Sequence, residues 1–292
     1  MKKIFHILSI FIIFLAIITS GFGLFYKTDG QSFDFINQYG DIIKIYGNGI
    51  YKNDSYFMAP IFKGTDCTIL FLAIPLLIIA LIMNIKKGSI KTVLFLTSVI
   101  ALFTYYSTSI SFGVIYNVLH LVYIALFSCS LFALIIGFIL LKNYTIKVSV
   151  KMYTNGIKIF LVFCGLSLFV AWLPDIIVSL VNKKSLVLIE IYTTQITYVL
   201  DMAIVSPLMF ICLYNLKKDN NIGYILLGII LSLLIAVGIM VIIQAIFQIM
   251  AGINLPIGVI ITKIGVFVVL ALAAIYYEVK LFKNLQGGIN GT

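Results

Sequence analysis

The sequence predicts an all-α polytopic integral membrane protein: about eight transmembrane helices and a small β-prone extracytoplasmic loop. Three observations carry this. Of 292 residues, 62% are apolar and only 10% are charged, with a mean hydropathy of +1.17. Soluble domains sit near about 45–50% apolar and roughly 25% charged, so water is not the main solvent here. Apolar runs of about 20 residues, the length that crosses a bilayer, follow one another along the chain. Lysine is also unevenly divided between the two sides that such a topology defines. A single membrane bundle over 1–292 accommodates all of this without a second domain.

The first run, Ile4 to Phe25, follows Lys2 and Lys3. It exceeds a signal-peptide core and lacks an A-x-A site, which favours a retained helix. Thr19-Ser20-Gly21 is small enough to be cut, and cleavage there leaves seven helices. Residues 27–67 are the long hydrophilic stretch, a length that implies function or structure of its own. Two β-prone runs flank Gly47-Asn48-Gly49, which predicts a tight hairpin about those residues, with SFDFINQ and SYFMAPIF as further strand candidates. The remaining apolar runs predict helices over Thr68 to Ile85, Thr92 to Ser109, Val118 to Leu141 and Ile157 to Val181. Three more are predicted over Tyr192 to Leu216, Ile222 to Phe247 and Ile257 to Phe282. Pro75, Pro174 and Pro207 fall inside these runs, and each frees a carbonyl one turn upstream.

Orientation follows from the lysines. With the N-terminus inside, thirteen lysines fall in cytoplasmic segments and six in outer ones, leaving Lys263 in the last helix. The positive-inside rule then places both termini in the cytoplasm, residues 27–67 outside, and the protein in the cell membrane as a multi-pass chain. Asp29, Asp34, Asp41, Asp54, Asp66 and Glu190 count as outer acids, and Asp219 and Glu278 as inner ones. The net charge of +10 is thus a topology signal and calls for no nucleic-acid partner. Every basic residue is lysine, so no guanidinium is present to clamp a carboxylate or phosphate in bidentate fashion. The heavy use of Ile, Lys, Asn, Tyr and Phe fits the bias of an AT-rich bacterial genome.

Two carboxylates lie inside apolar runs. Asp175 directly follows Pro174, and Asp201 precedes Pro207 by six residues. A carboxylate at a helix centre costs roughly 2.5–3.5 kcal/mol to insert and usually faces a bundle interior or a wet cavity. In the predicted topology Asp175 is about 9 Å and Asp201 on the order of 14 Å below the outer surface. Lys263 enters at the depth of Asp175, which makes these two the expected ion pair and leaves Asp201 to titrate. Thr194, Tyr198 and Asp201 share one helical face at i, i+4, i+7. Gln244 and Gln248, four apart, share another, while Gln195 opens the sixth helix and His120 the fourth. These nine residues predict a polar pocket opening outward beneath the 27–67 loop. Tyr105, Tyr106, Trp172 and Tyr192 read as interfacial aromatics without chemistry.

No Walker A loop, GxSxG, HExxH or GxGxxG occurs. The cysteines and two histidines make no metal-binding pattern, so neither metal nor cofactor is expected. The leading expectation is transport or binding of a small solute or lipid-like molecule, with Asp201 and Asp175 receiving cationic groups or protons. Next comes an accessory or structural subunit whose 27–67 loop binds a protein partner. A membrane-embedded enzyme acting near the outer leaflet, with Asp201 as acid or base, ranks last.

Overall fold

The computed structural model describes residues 1–289, and the side chains at 259, 263 and 289 lie outside that description. Its eight long helices are each apolar enough to cross a membrane. They are α1 (Lys2–Phe25), α2 (Met58–Lys87), α3 (Ile90–Gly113), α4 (His120–Lys142), α5 (Asn155–Asn182), α6 (Ile196–Lys217), α7 (Asn221–Met250) and α8 (Ile260–Asn284). Two antiparallel pairs of strands flank the helices. β1 (Phe33–Ile36) pairs with β2 (Ile42–Ile45), and β3 (Tyr144–Val148) with β4 (Leu285–Ile289). The first pair marks the hairpin end of the bundle, the second the terminal end.

Local chemistry sets the helix limits. Gly88 takes a left-handed φ of 55° to end α2, and Thr154 and Asn220 accept amide protons at the starts of α5 and α7. Two of the prolines reshape their helices. A π turn over Ile69–Ala73 precedes Pro75, and another over Asp201–Val205 precedes Pro207. A proline ring collides with the carbonyl four residues back, and widening that turn removes the collision. Pro174 sits within an α-helix that runs through it, and α8 opens with a π segment over Ile260–Gly265 that has no proline.

α3 and α7 form the centre: 72% and 61% of their spans are buried, more than in any other helix. α7 packs along α2, α3, α6 and α8, whereas α8 barely meets α5. Gly64 allows the close approach of α2 to α7, because a Cβ there would come 2.5 Å from the Gln244 Cα.

Four expectations need correction. α2 starts at Met58, not Thr68, which shortens the connecting loop from residues 27–67 to 26–57. Lys63, Gly64, Thr65 and Asp66 lower the hydropathy there, yet Thr65 and Asp66 are buried against other helices. The β1–β2 hairpin turns at residues 37–41, not at Gly47-Asn48-Gly49. Asn37 Oδ1 accepts from the amides of Tyr39 and Asp41, and Gly40 takes the positive φ. The Gly47-Asn48-Gly49 stretch instead makes a second reversal, with Ile45 bridged to Ser55. α6 starts at Ile196, which leaves Tyr192 and Thr194 in the preceding connection. The β3–β4 pair has no counterpart in the sequence reading.

Candidate functional site

A cavity of about 350 Å³ opens at the hairpin end, walled by α2, α3, α5, α6, α7 and α8. Phe57, Leu188 and residues 254–256 line it from the connections between helices. Its lining is mostly apolar and aromatic, with a few polar groups among them. A volume of this size lies at the lower end of the range for small-molecule sites.

α5 and α6 hold the carboxylates by a reciprocal exchange. Trp172 of α5 donates to Asp201 Oδ2 of α6 at 2.9 Å, and Tyr198 of α6 donates to Asp175 Oδ2 of α5 at 2.8 Å. Trp172 and Tyr198 stack on each other at 4.6 Å between ring centres. Each helix thus supplies an aromatic residue and, three residues on, an aspartate, and each aromatic serves the other helix's aspartate. Tyr105 of α3 completes the group by donating to Asp201 Oδ1 at 3.0 Å. Asp201 is only 5% exposed and reaches the cavity wall.

Five of the nine predicted residues line this cavity: Asp201, Tyr198, Gln195, Gln244 and Gln248. Gln244 donates to Thr65 at 2.8 Å, Gln248 to the Phe57 carbonyl at 3.3 Å, and Gln195 to the Leu188 carbonyl. Asp175 stands behind Tyr198 rather than on the wall. Thr194 is exposed in the connection before α6, so the expected row on that helix contains only Tyr198 and Asp201. His120 packs against Tyr116 at the start of α4, a helix that contributes nothing to the cavity. Lys263 belongs to the π segment of α8, next to the wall residue Ile264. Its side chain, and with it the expected pairing to Asp175, lies outside the described residues.

The four aromatics expected to be without chemistry each hydrogen-bond a carboxylate. Tyr105 and Trp172 hold Asp201, Tyr106 donates to Asp66 at 2.7 Å, and Tyr192 donates to Asp54 at 3.0 Å. The repeated spacing of Trp172-Leu-Pro-Asp175 and Tyr198-Val-Leu-Asp201 is the signal that could have found the exchange.

Asp66, counted in the sequence as an outer residue, is a fully buried member of α2. Tyr51 gives it a second hydrogen bond at 2.5 Å, and α1 passes over it at Gly23, where any Cβ would overlap the carboxylate. Asp54 is also fully buried, in the seam between the hairpin-end connections. Its Oδ1 accepts from the Ile115 amide and the Tyr192 hydroxyl, each at 3.0 Å, while its Oδ2 has no partner among the described residues. Burial pushes its carboxyl up to about 8, against the pull of these two donors. Beside it Ser55 donates to Glu190, whose carboxyl burial also raises. Asn37 donates to the Glu190 carbonyl at 2.7 Å, which fastens the hairpin to the α5–α6 connection.

No protein-family model matches the chain, and no curated protein and no solved structure is significantly similar to it.

Proposed function

We propose that the protein binds, and by binding carries or presents, a small lipid-like or amphipathic molecule in the cavity at the hairpin end. The observation behind this reading is the pairing of an apolar enclosure of about 350 Å³ with a short row of polar groups at Asp201, Gln195, Gln244 and Gln248. An apolar pocket with a few placed polar groups is the usual form of a small-molecule site. A neighbouring bilayer would supply an amphiphile directly, because α8 borders the cavity yet packs mainly on α7. We place the hairpin outside the cell and both termini in the cytoplasm, on the strength of the lysine distribution.

The test is extraction of purified protein with organic solvent, followed by mass spectrometry, for the parent and for Ala245→Trp, which fills the cavity from α7. The parent should release a bound amphiphile, and the variant should release little at an unchanged thermal midpoint. Equal recovery from both, or none from the parent, would remove the reading.

One observation favours a second reading, a partner-binding subunit. Phe33, Phe35, Ile36, Tyr39 and Ile42 of the hairpin are each more than half exposed, an unusual apolar surface for a loop beyond the bundle. If a partner docks there, Phe35→Ser with Ile42→Ser would abolish its co-purification and leave the extracted amphiphile unchanged.

A further inference from the structure

The cavity wall carries a carboxyl group and amide oxygens, while its aromatic donors are spent inside the protein. Four aromatic side chains there carry a hydrogen-bond donor, and each donor is used inside the protein. Trp172 and Tyr105 give theirs to Asp201, Tyr198 to Asp175 and Tyr106 to Asp66. Each wall glutamine spends one of the two N–H groups of its amide inside the protein. The Gln195 and Gln248 amides meet backbone carbonyls, which only accept, so each NH₂ group must face its carbonyl and each Oε1 must face away. Among the described residues neither oxygen receives a hydrogen bond. Nor is either sealed in: among the described residues the buried, unpartnered side-chain atoms are Asp54 Oδ2 and Ser98 Oγ. Both residues are themselves buried and line the cavity.

Asp201 adds a carboxyl group to these acceptors. Tyr105 and Trp172 orient its carboxylate but are neutral, and among the described residues no lysine or histidine pairs with it. Among the described residues the uncommitted donors are neutral: the second N–H of each glutamine amide, the Ser109 and Thr197 hydroxyls, which accept as readily as they donate, and Asn254 at the exposed rim. A site with free acceptors, one carboxylate and aromatic faces matches a ligand that brings donors and positive charge. Among the described residues a phosphate or carboxylate ligand would find no cation on this wall.

We infer that the cavity takes an amphipathic primary amine. The ammonium group lies against Asp201 and the glutamine oxygens, and the apolar body lies along Met240 and Phe267. This rests on the reading of the cavity as a ligand site and adds the ligand's chemical class.

The experiment uses the full chain in lipid nanodiscs with two fluorescent probes, dansylcadaverine, a primary amine, and its neutral N-acetyl derivative. Nanodiscs holding Ala245→Trp give the background from lipid partitioning. The parent should bind the amine saturably and at least about tenfold more tightly than the acetylated probe, as expected for a charge-assisted contact. Asp201→Asn should lower amine affinity by about tenfold and leave the neutral probe within roughly twofold of the parent. The comparison of the two probes in the parent decides the matter even if that variant fails to fold. Equal binding of both probes would overturn the amine inference and leave the cavity standing as a ligand site. Failure of both to bind above background would overturn the two together.

Discussion

At the scale of residues, the buried carboxylates differ in how completely their oxygens are satisfied. Asp201 and Asp66 each have two aromatic donors, one to each oxygen. Asp54 has both of its donors on one oxygen, and the other is bare. An unpaired buried oxygen is tolerable when it carries a proton, which agrees with a carboxyl pushed up from 3.8 to about 8. The folded chain therefore holds this proton where the unfolded chain has released it. Stability falls as pH rises from about 4 to about 8, with Glu190 acting in the same direction. Asp54→Asn keeps the accepting oxygen and abolishes the titration. In detergent it should match the parent at pH 5 within about 0.5 kcal/mol. At pH 8 it should be more stable by about 1–2 kcal/mol, read as a higher thermal midpoint. A parent whose midpoint rises with pH over this interval would contradict the account. Asp175 and Asp201 were legible in the sequence because an acid within an apolar run has few places to go. Their partners were not. Trp172 and Tyr105 look the same whether they sit at a membrane interface or against a carboxylate, since that depends on which helices become neighbours.

At the scale of elements, the second helix shows where hydropathy misleads. Its first ten residues hold Lys63, Gly64, Thr65 and Asp66, so a reading by average polarity assigns them to a loop. The helix continues through them because the polar atoms of Thr65 and Asp66 are met from α7, from α3 and from Tyr51 of the preceding connection. The close contact with α1 has a sharp consequence. Gly23→Ala would drive a methyl group into the Asp66 carboxylate and should cost about 2–3 kcal/mol. Gly21→Ala, two residues earlier in open space, should be neutral or stabilising by up to about 1 kcal/mol. Thermal midpoints of the two variants check this, and equal values would show that α1 does not press on Asp66. The prolines were more informative. Pro75 and Pro207 each announced a disturbed turn, and each turn is a π turn, the second beginning at Asp201 itself.

At the scale of the whole molecule, eight long apolar helices bring the start of α1 and the end of α8 to the face opposite the hairpin. That part of the architecture was legible, since each crossing leaves a long apolar run bounded by lysines or turns. The strands were harder to read, because pairing register depends on side-chain bonds such as those of Asn37. Which face is cytoplasmic is a separate matter that lysine counting addresses. In a chain freed of its own cysteines, Tyr39→Cys at the hairpin tip should react with a membrane-impermeant thiol reagent on intact cells. Lys87→Cys, at the far end of α2, should react only after the cells are opened. The reverse pattern would invert the orientation and place the cavity mouth toward the cytoplasm.

The β3–β4 pair carries a consequence for biosynthesis. β3 leaves the ribosome directly after α4, and its partner follows only after α5 to α8 have been made. Throughout that interval the backbone amides and carbonyls of Tyr144–Val148 present an open strand edge, the kind of surface on which chains aggregate. Lys142, Lys147 and Lys151 sit on and beside that edge, and charge of one sign at a strand edge opposes its pairing with another copy of itself.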